Sequence, residues 1–214
     1  MPVVRRLLLA AVATALVVGL GVVVLDGDDG ADDGREATST PLSSYDTSGV
    51  TILRTEFCDR VPDAAVEEAL GTTADESSDY GNGDVVRLAP GLRDRAHEFG
   101  CSWSGGGATA AAWVYAPPVP RSQTGELLRQ ARSTDGCEPV AGAPAYGDPS
   151  VALVCTSDRA SEVSFRGLFG DAWLVCTLRR RGVSAGEGVD EAVDRAGRWC
   201  VASARAAAGE PSSG

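Results

Sequence analysis

The sequence has no lysine and only one histidine, His97, among its 214 residues. Without lysine the chain can form neither a P-loop nor a Schiff base. One histidine excludes a histidine-rich metal site, and a Ser-His-Asp triad would need a G-x-S-x-G nucleophile turn, which the sequence lacks. We therefore predict no catalytic residue, no metal site and no cofactor, and we interpret His97 as a surface or strand-end residue.

Positive charge is also scarce, because 19 arginines face 30 carboxylates and the net charge is −11. Nucleic-acid binding depends on clustered cations, so we predict no nucleic-acid partner. The one cationic cluster is Arg179-Arg180-Arg181. It could bind a carboxylate or a phosphate, for example on an anionic envelope polymer, or it could be a solvated loop end.

Long apolar runs are limited to one, residues 7–25, which contains no charged side chain. A helix of this length spans roughly 30 Å, the thickness of the hydrocarbon layer of a membrane. Arg5 and Arg6 precede the run and an acidic stretch follows it, so the positive-inside rule predicts a cytoplasmic N-terminus at residues 1–6. We predict a single-pass signal anchor in the cell membrane, with the rest of the chain outside the cell.

A cleaved signal peptide is the alternative, since Ala13-Thr14-Ala15 matches an A-x-A cleavage pattern. Cleavage there would leave residues 16–25 as an apolar terminus, so the anchor is favoured. Lipoprotein processing is excluded, because it requires a cysteine directly after the apolar run and the first cysteine is Cys58.

Residues 26–50 are acidic, rich in Gly, Ser and Thr, and poor in large apolar side chains. Such a segment buries too little surface to offset the entropy of ordering, so we predict a disordered linker there and a disordered tail at residues 208–214. Asp26, Asp28 and Asp29 have calcium-loop spacing but lack the remaining ligands. The folded domain is predicted to span residues 51–207.

All six cysteines follow the predicted anchor, and they are Cys58, Cys101, Cys137, Cys155, Cys176 and Cys200. An even number in an oxidising compartment indicates three disulfides, and no pair has the C-x-x-C spacing of a redox or zinc motif. Six cysteines allow fifteen connectivities, among which sequence alone does not choose. The order of predicted elements suggests Cys58–Cys101, Cys137–Cys155 and Cys176–Cys200.

The pattern of apolar residues predicts an α+β domain. A helix ends at Gly71, a hairpin turns at Gly105-Gly106-Gly107, a meander covers residues 151–178, and a capping box at Ser184-x-x-Glu187 begins a last helix. The glycine triplet could instead present amides to an anion. We expect an antiparallel sheet of two hairpin or meander halves, with helices packed on one face, after one transmembrane helix.

Three finer expectations complete this picture. Ile52–Phe57 is predicted to be a short strand, and residues 72–96 a polar loop. Trp173 is the tryptophan expected to be exposed, because it alternates with Leu174 and Cys176 along its strand.

Two short segments resemble a known family. They are Phe57-Cys58 before a helix ending Ala69-Leu70-Gly71, and Gly100-Cys101-Ser102-Trp103. They are similar to small actinobacterial exported proteins, many of them lipoproteins, that form a domain family of unknown function with paired cysteines and a Cys-x-Trp strand. The resemblance covers about residues 57–116 and implies export and a Cys58–Cys101 bridge. The chain departs from the family in lacking a lipobox cysteine and in having a second cysteine-bearing half.

The sequence is therefore expected to encode a membrane-anchored, extracytoplasmic binding or sensing domain of the bacterial cell envelope, without catalytic activity. Its partner would be an unidentified envelope ligand or protein. An envelope hydrolase that uses carboxylates is one alternative, and a structural spacer is another. The hydrolase would require a pocket with converging Asp or Glu side chains, whereas a binding domain would present an apolar or basic patch.

Overall fold

The computed structural model describes residues 40–89, 91–182 and 188–209, with backbone alone at residues 88 and 89. The predicted anchor at residues 7–25, its flanking residues 1–6 and the capping box at 184–187 lie outside these ranges. Within them no helix is long and apolar enough to cross a membrane. The α-helices are α1 (Asp63–Leu70), α2 (Arg121–Arg132) and α3 (Val189–Ala208), and short 3-10 helices lie at Leu42–Ser44 and Cys58–Arg60. The strands are β1 (Glu76–Tyr80), β2 (Val85–Ala89), β3 (Leu92–Arg95), β4 (Glu98–Gly105), β5 (Ala108–Tyr115), β6 (Cys137–Pro139), β7 (Ser150–Ser157), β8 (Ala160–Phe169) and β9 (Ala172–Arg181).

Seven of these strands form one antiparallel sheet in the order β1-β4-β5-β9-β8-β7-β6, and β2 pairs with β3 in a separate ribbon. The hairpin β4–β5 and the meander β7–β8–β9 meet where β5 pairs with β9. Gly106 and Gly107 both have positive φ in the β4–β5 turn, a conformation that glycine adopts without strain. The predicted α+β class and the two antiparallel halves are confirmed.

One face of the sheet, here called the front face, packs against α1 and α3. Along β5 the front-face residues Ala108, Ala110, Ala112 and Val114 are at most 3% exposed. The stripe on α3 that meets them is also made of small side chains, and it comprises Ala196, Cys200, Ala204 and Ala207. Small residues on both surfaces let the helix lie close to the sheet. Trp199 fills the remaining space, with its indole edge-to-face on Trp103 and the ring centroids 5.5 Å apart.

The opposite face, here called the back face, is covered in part by α2. Leu127 and Leu128 of this helix pack with Trp173 and Val175 of β9. The prediction that all helices lie on one face is therefore wrong. Strand β9 carries large apolar side chains on both sides, and a strand buried on both faces needs cover on both. For the same reason Trp173 does point away from Leu174, as expected, but it is only 2% exposed.

The structure contains the three disulfides suggested by the order of elements. Cys176–Cys200 ties β9 in the sheet centre to α3, Cys58–Cys101 ties the turn before α1 to β4, and Cys137–Cys155 joins β6 to β7. Each bridge connects segments that already pack together.

Two boundary predictions and two element predictions need correction. Leu42 is buried in the core at 3% exposure, so residues 40–50 lie against the domain and are not part of a disordered linker. Residues 72–96 contain β1, β2 and β3 where a loop was predicted, and Ile52–Phe57 is not a strand. Strand β1 is a polar edge strand with four exposed residues, so it has no apolar alternation to reveal it. In the predicted tail, Ala208 still belongs to α3.

Candidate functional site

Strand alternation separates the three arginines at the end of β9. Arg180 lies on the front face with Leu178, while Arg179 and Arg181 lie on the back face and are exposed. The cationic cluster found in the sequence is thus divided between two surfaces, and only Arg180 points toward the face that α3 covers.

Arg180 borders a cavity of about 260 Å³ between the start of α3 and strands β8 and β9. Its floor consists of two cross-strand pairs, Val163 opposite Leu178 and Ser161 opposite Arg180. Val163 and Leu178 are both 3% exposed, so this part of the floor is apolar and packed.

The opposite wall of the cavity comes from one face of α3. The four residues that form it are spaced at i, i+3, i+4 and i+7, and they are Gly188, Glu191, Ala192 and Arg195. Nη2 of Arg195 lies 3.1 Å from Oε1 of Glu191. The arginine side chain is 24% exposed, whereas the glutamate is 76% exposed, so the cation is the more enclosed partner.

The two guanidinium groups converge at the end of α1. A Cβ placed on Gly71 would lie 3.9 Å from Nη2 of Arg180 and 4.0 Å from Nη1 of Arg195. Helix α1 ends there, with Gly71 in the left-handed region at φ 77° and its N–H donating to Glu67 O. The last carbonyls of a helix carry partial negative charge, so this position stabilises two neighbouring cations.

The cavity combines two arginines, one ion-paired carboxylate and an apolar floor. Glu191 is its only carboxylate among the eight described lining residues, and Ser161 has no histidine beside it, since His97 is elsewhere. A pair of catalytic carboxylates or an activated serine therefore cannot be built from these residues. The arrangement instead suits an anion that carries an apolar group.

A second, more polar cavity of about 230 Å³ lies between the first half of α3 and residues 140–144. Two carboxylates one turn apart, Asp190 and Asp194, line it. Asp194 is ion-paired with Arg198. Of the two cavities, this is the one that brings two carboxylates together, and one of them already takes part in an ion pair.

Carboxyl groups elsewhere show the effect of hydrogen bonding. The pKa of Asp46 is lowered by hydrogen bonds from Ser48, and the pKa of Glu126 is lowered by Gln130 and then by Arg129. Both carboxyls are exposed and neither lines a cavity described above. A general acid at neutral pH needs a raised pKa, so neither group fits that role.

His97 and the Gly105-Gly106-Gly107 triplet, which the sequence also offered as candidates, do not line either cavity. His97 is exposed and directly precedes β4, where its carbonyl accepts a hydrogen bond from the Ala116 N–H. Gly105-Gly106-Gly107 forms the β4–β5 turn. In the described ranges no group of three His, Cys, Asp or Glu residues is placed to hold a metal ion.

Sequence reasoning missed Arg195. Its spacing from Glu191 and Ala192 places it on one helical face with them, so a signal existed. The sequence alone does not show that this face of α3 packs close to Arg180 on β9.

Comparisons with protein-family models, with curated proteins and with solved structures found no match to this chain.

Proposed function

We propose that this chain is a membrane-anchored, extracytoplasmic binding or sensing domain of the bacterial cell envelope. Its ligand is an amphipathic anion held in the cavity that Arg180 and Arg195 border, here called the arginine-rimmed cavity. The observation that carries the proposal is the convergence of Arg180 and Arg195 above an apolar floor. The domain acts by binding and has no catalytic step.

The chemistry of the ligand follows from the two parts of the cavity. A carboxylate or phosphate would accept charge-assisted hydrogen bonds from the guanidinium groups. An attached apolar group would cover Val163, Leu178 and Ala192, with about 0.8 kcal/mol gained for each CH₂ removed from water. The volume of about 260 Å³ is slightly below the roughly 300–1,000 Å³ of drug-sized sites, so the ligand is small or only partly enclosed.

Export is supported by the cysteines and by the apolar run. All six cysteines pair in disulfides, which persist in oxidising compartments and are rare in the cytosol. The uncharged run at residues 7–25, preceded by Arg5 and Arg6, has the length and flanking charge of a signal anchor. The resemblance to exported actinobacterial proteins is consistent with this location and forms part of the proposal.

Binding can be tested by calorimetric titration of the full-length chain in nanodiscs with hexanoate, hexanol and acetate. Hexanoate should bind, while hexanol lacks the charge and acetate lacks the apolar chain, so each should bind at least about tenfold more weakly, which corresponds to about 1.4 kcal/mol. Arg180→Gln should weaken hexanoate binding by about tenfold or more, because it removes a charge-assisted hydrogen bond.

Arg179→Gln is the matched control, since it removes the same charge from the neighbouring residue on the opposite face. If both variants lost hexanoate affinity equally, the loss would come from the change in net charge and not from a site at Arg180. Equal binding of hexanol and hexanoate would refute the anion site. The location is tested separately, by mass spectrometry of the protein extracted from membranes. The proposal requires the uncleaved N-terminus, and a mature chain beginning after Ala15 would contradict it.

A further inference from the structure

A second group of side chains that can bind a ligand lies on the back face, away from the arginine-rimmed cavity. Helix α2 contacts β6 and β7, and in the described part of the chain no helix is packed on the back face of β1 or β4. The exposure pattern of β5 reflects this. Its front-face residues are buried, whereas Thr109, Ala111, Trp113 and Tyr115 on the back face are all partly exposed.

Aromatic rings are concentrated at this open part of the face. In the strand register Tyr80 lies opposite Gly100, and Gly100 lies opposite Trp113. The Tyr80 ring occupies the space above Gly100, because a Cβ added there would come within 2.3 Å of its Cζ. Tyr80 and Trp113 therefore flank a position without a side chain, and Tyr115 follows two residues after Trp113 on the same face.

Two opposite charges border these rings. The Tyr80 hydroxyl donates a 2.6 Å hydrogen bond to Oε1 of Glu98, which fixes that carboxylate beside the rings. Arg166 on β8 shares a row of the sheet with Trp113, with Val175 between them. Its Nε is buried and has no hydrogen-bond partner among the described residues.

In the strand register Tyr115 lies opposite Glu98 and two residues from Trp113, whose row of the sheet contains Arg166. Burial raises the pKa of the Tyr115 phenol, the charge of Glu98 raises it further, and the charge of Arg166 lowers it. Burial also lowers the pKa of Arg166 itself, while Glu162 and then Tyr115 oppose that change. A partly buried guanidinium thus lies on the same face of the sheet as the aromatic rings and the carboxylate of Glu98.

We propose that this back-face cluster, consisting of Tyr80, Glu98, Trp113, Tyr115 and Arg166, binds a neutral saccharide. An anionic ligand would satisfy Arg166 but would lie beside Glu98, and a cationic ligand would have the reverse conflict. The hydroxyls of a sugar resolve both, since one hydroxyl can donate to Glu98 while another accepts from Arg166. The apolar C–H face of a pyranose ring can cover the accessible parts of the partly exposed rings of Trp113 and Tyr80.

The rest of the open surface fits a hydroxyl-rich ligand better than a protein. Ser78 and Ser102 lie opposite each other beside the cluster, with Ala111 next in the same row. Serine, alanine and glutamate are depleted at protein–protein interfaces, while tyrosine, tryptophan and arginine are enriched there, and aromatic side chains with a few placed polar groups also line small-molecule sites. This second site does not depend on the arginine-rimmed cavity.

The test is a microbial glycan array probed with the full-length chain in nanodiscs, followed by titration of the best glycan. Glu98→Gln and Trp113→Phe should each weaken binding by tenfold or more, with thermal unfolding of both variants within a few degrees of the unmodified protein. Arg179→Gln, on the same face but outside the cluster, should bind as the unmodified protein does.

Three results would overturn the proposal. The first is no glycan retained above the empty-nanodisc control, and the second is glycan binding unchanged by both cluster variants. The third is a peptide array that gives binding sensitive to these two substitutions while the glycan array gives none, which would make the surface a protein-binding site.

Discussion

Removing the Cys176–Cys200 disulfide tests how the domain obtains its stability. The bridge closes a span of 24 residues, for which the loop-entropy model gives about 3.4 kcal/mol. Both cysteines are 0% exposed, so replacing them with alanine also leaves small voids, each costing about 1 kcal/mol. We expect the free energy of unfolding of the Cys176→Ala/Cys200→Ala variant to fall by about 5 kcal/mol.

The assay is thermal unfolding of the full-length protein, followed by near-UV circular dichroism. For a domain of this size each kcal/mol shifts Tm by roughly 2–4 °C, so the variant should unfold roughly 10–20 °C lower. The matched control is Cys137→Ala/Cys155→Ala. It opens a span of 18 residues, worth about 3.2 kcal/mol, at the edge strand β6 and without a fully buried pair of sulfurs.

The Cys176→Ala/Cys200→Ala variant, here called the core variant, should therefore be the less stable of the two. A Tm reduction of under about 3 °C in the core variant would refute the argument that disulfides supply a large share of the stability. A larger loss at the edge pair would refute the argument that the buried sulfurs add a packing contribution.

Three further predictions concern the core, alkaline stability and helix pairing. Gly167→Ala should abolish folding, because a Cβ there would lie 1.5 Å from the Tyr146 carbonyl oxygen, and an unchanged Tm of the variant extracted from membranes would contradict this. Complete burial raises the pKa of Tyr146 well above its usual value of 10.0, so its contribution to stability is present below about pH 10 and is lost as the pH rises further. Tm should thus fall less steeply between about pH 10 and 11.5 in Tyr146→Phe than in the unmodified protein, and equal slopes would exclude this residue as the cause. Glu68→Gln breaks the 2.5 Å ion pair to Arg198 that joins α1 to α3, and it should lower the free energy of unfolding by about 1 kcal/mol. Glu126→Gln, on the exposed face of α2, is the control and should change the free energy of unfolding very little. Equal Tm values for the two variants would contradict this difference.

Much of the sheet could be predicted because its strands alternate visibly. Alanines and apolar residues at every second position of β5, and the run of apolar residues in β7 and β9, indicate strands from local sequence alone. The pairing of cysteines followed from the order of those elements. The end of α1 at Gly71 was also predicted correctly, since glycine accepts the left-handed conformation found there.

The elements that were missed owe their structure to their neighbours. Strand β1 has the sequence ESSDY, which contains no apolar alternation, and it exists because its backbone pairs with β4. The position of α2 was missed because Trp173, which lies beside Val175 on β9, was predicted to be exposed. Only the closed tertiary structure shows that the helix lies on them.

The candidate site was half visible in the sequence. The run at 179–181 identified the only concentrated positive charge, and alternation with Leu178 assigns Arg180 to the buried face. The end of α1 lies about a hundred residues away along the chain and Arg195 lies on a different element, so both join Arg180 only through packing that no local pattern encodes. The back-face cluster was invisible for the same reason, since its five residues come from four different strands.

The most direct test of the amphipathic-anion site is nuclear magnetic resonance of the full-length chain labelled at arginine side chains and titrated with hexanoate. We expect saturable shifts of the Nε–H signals of Arg180 and Arg195, with the signal of Arg179 unchanged. Shifts that do not saturate, or that affect Arg179 as strongly as Arg180, would contradict it.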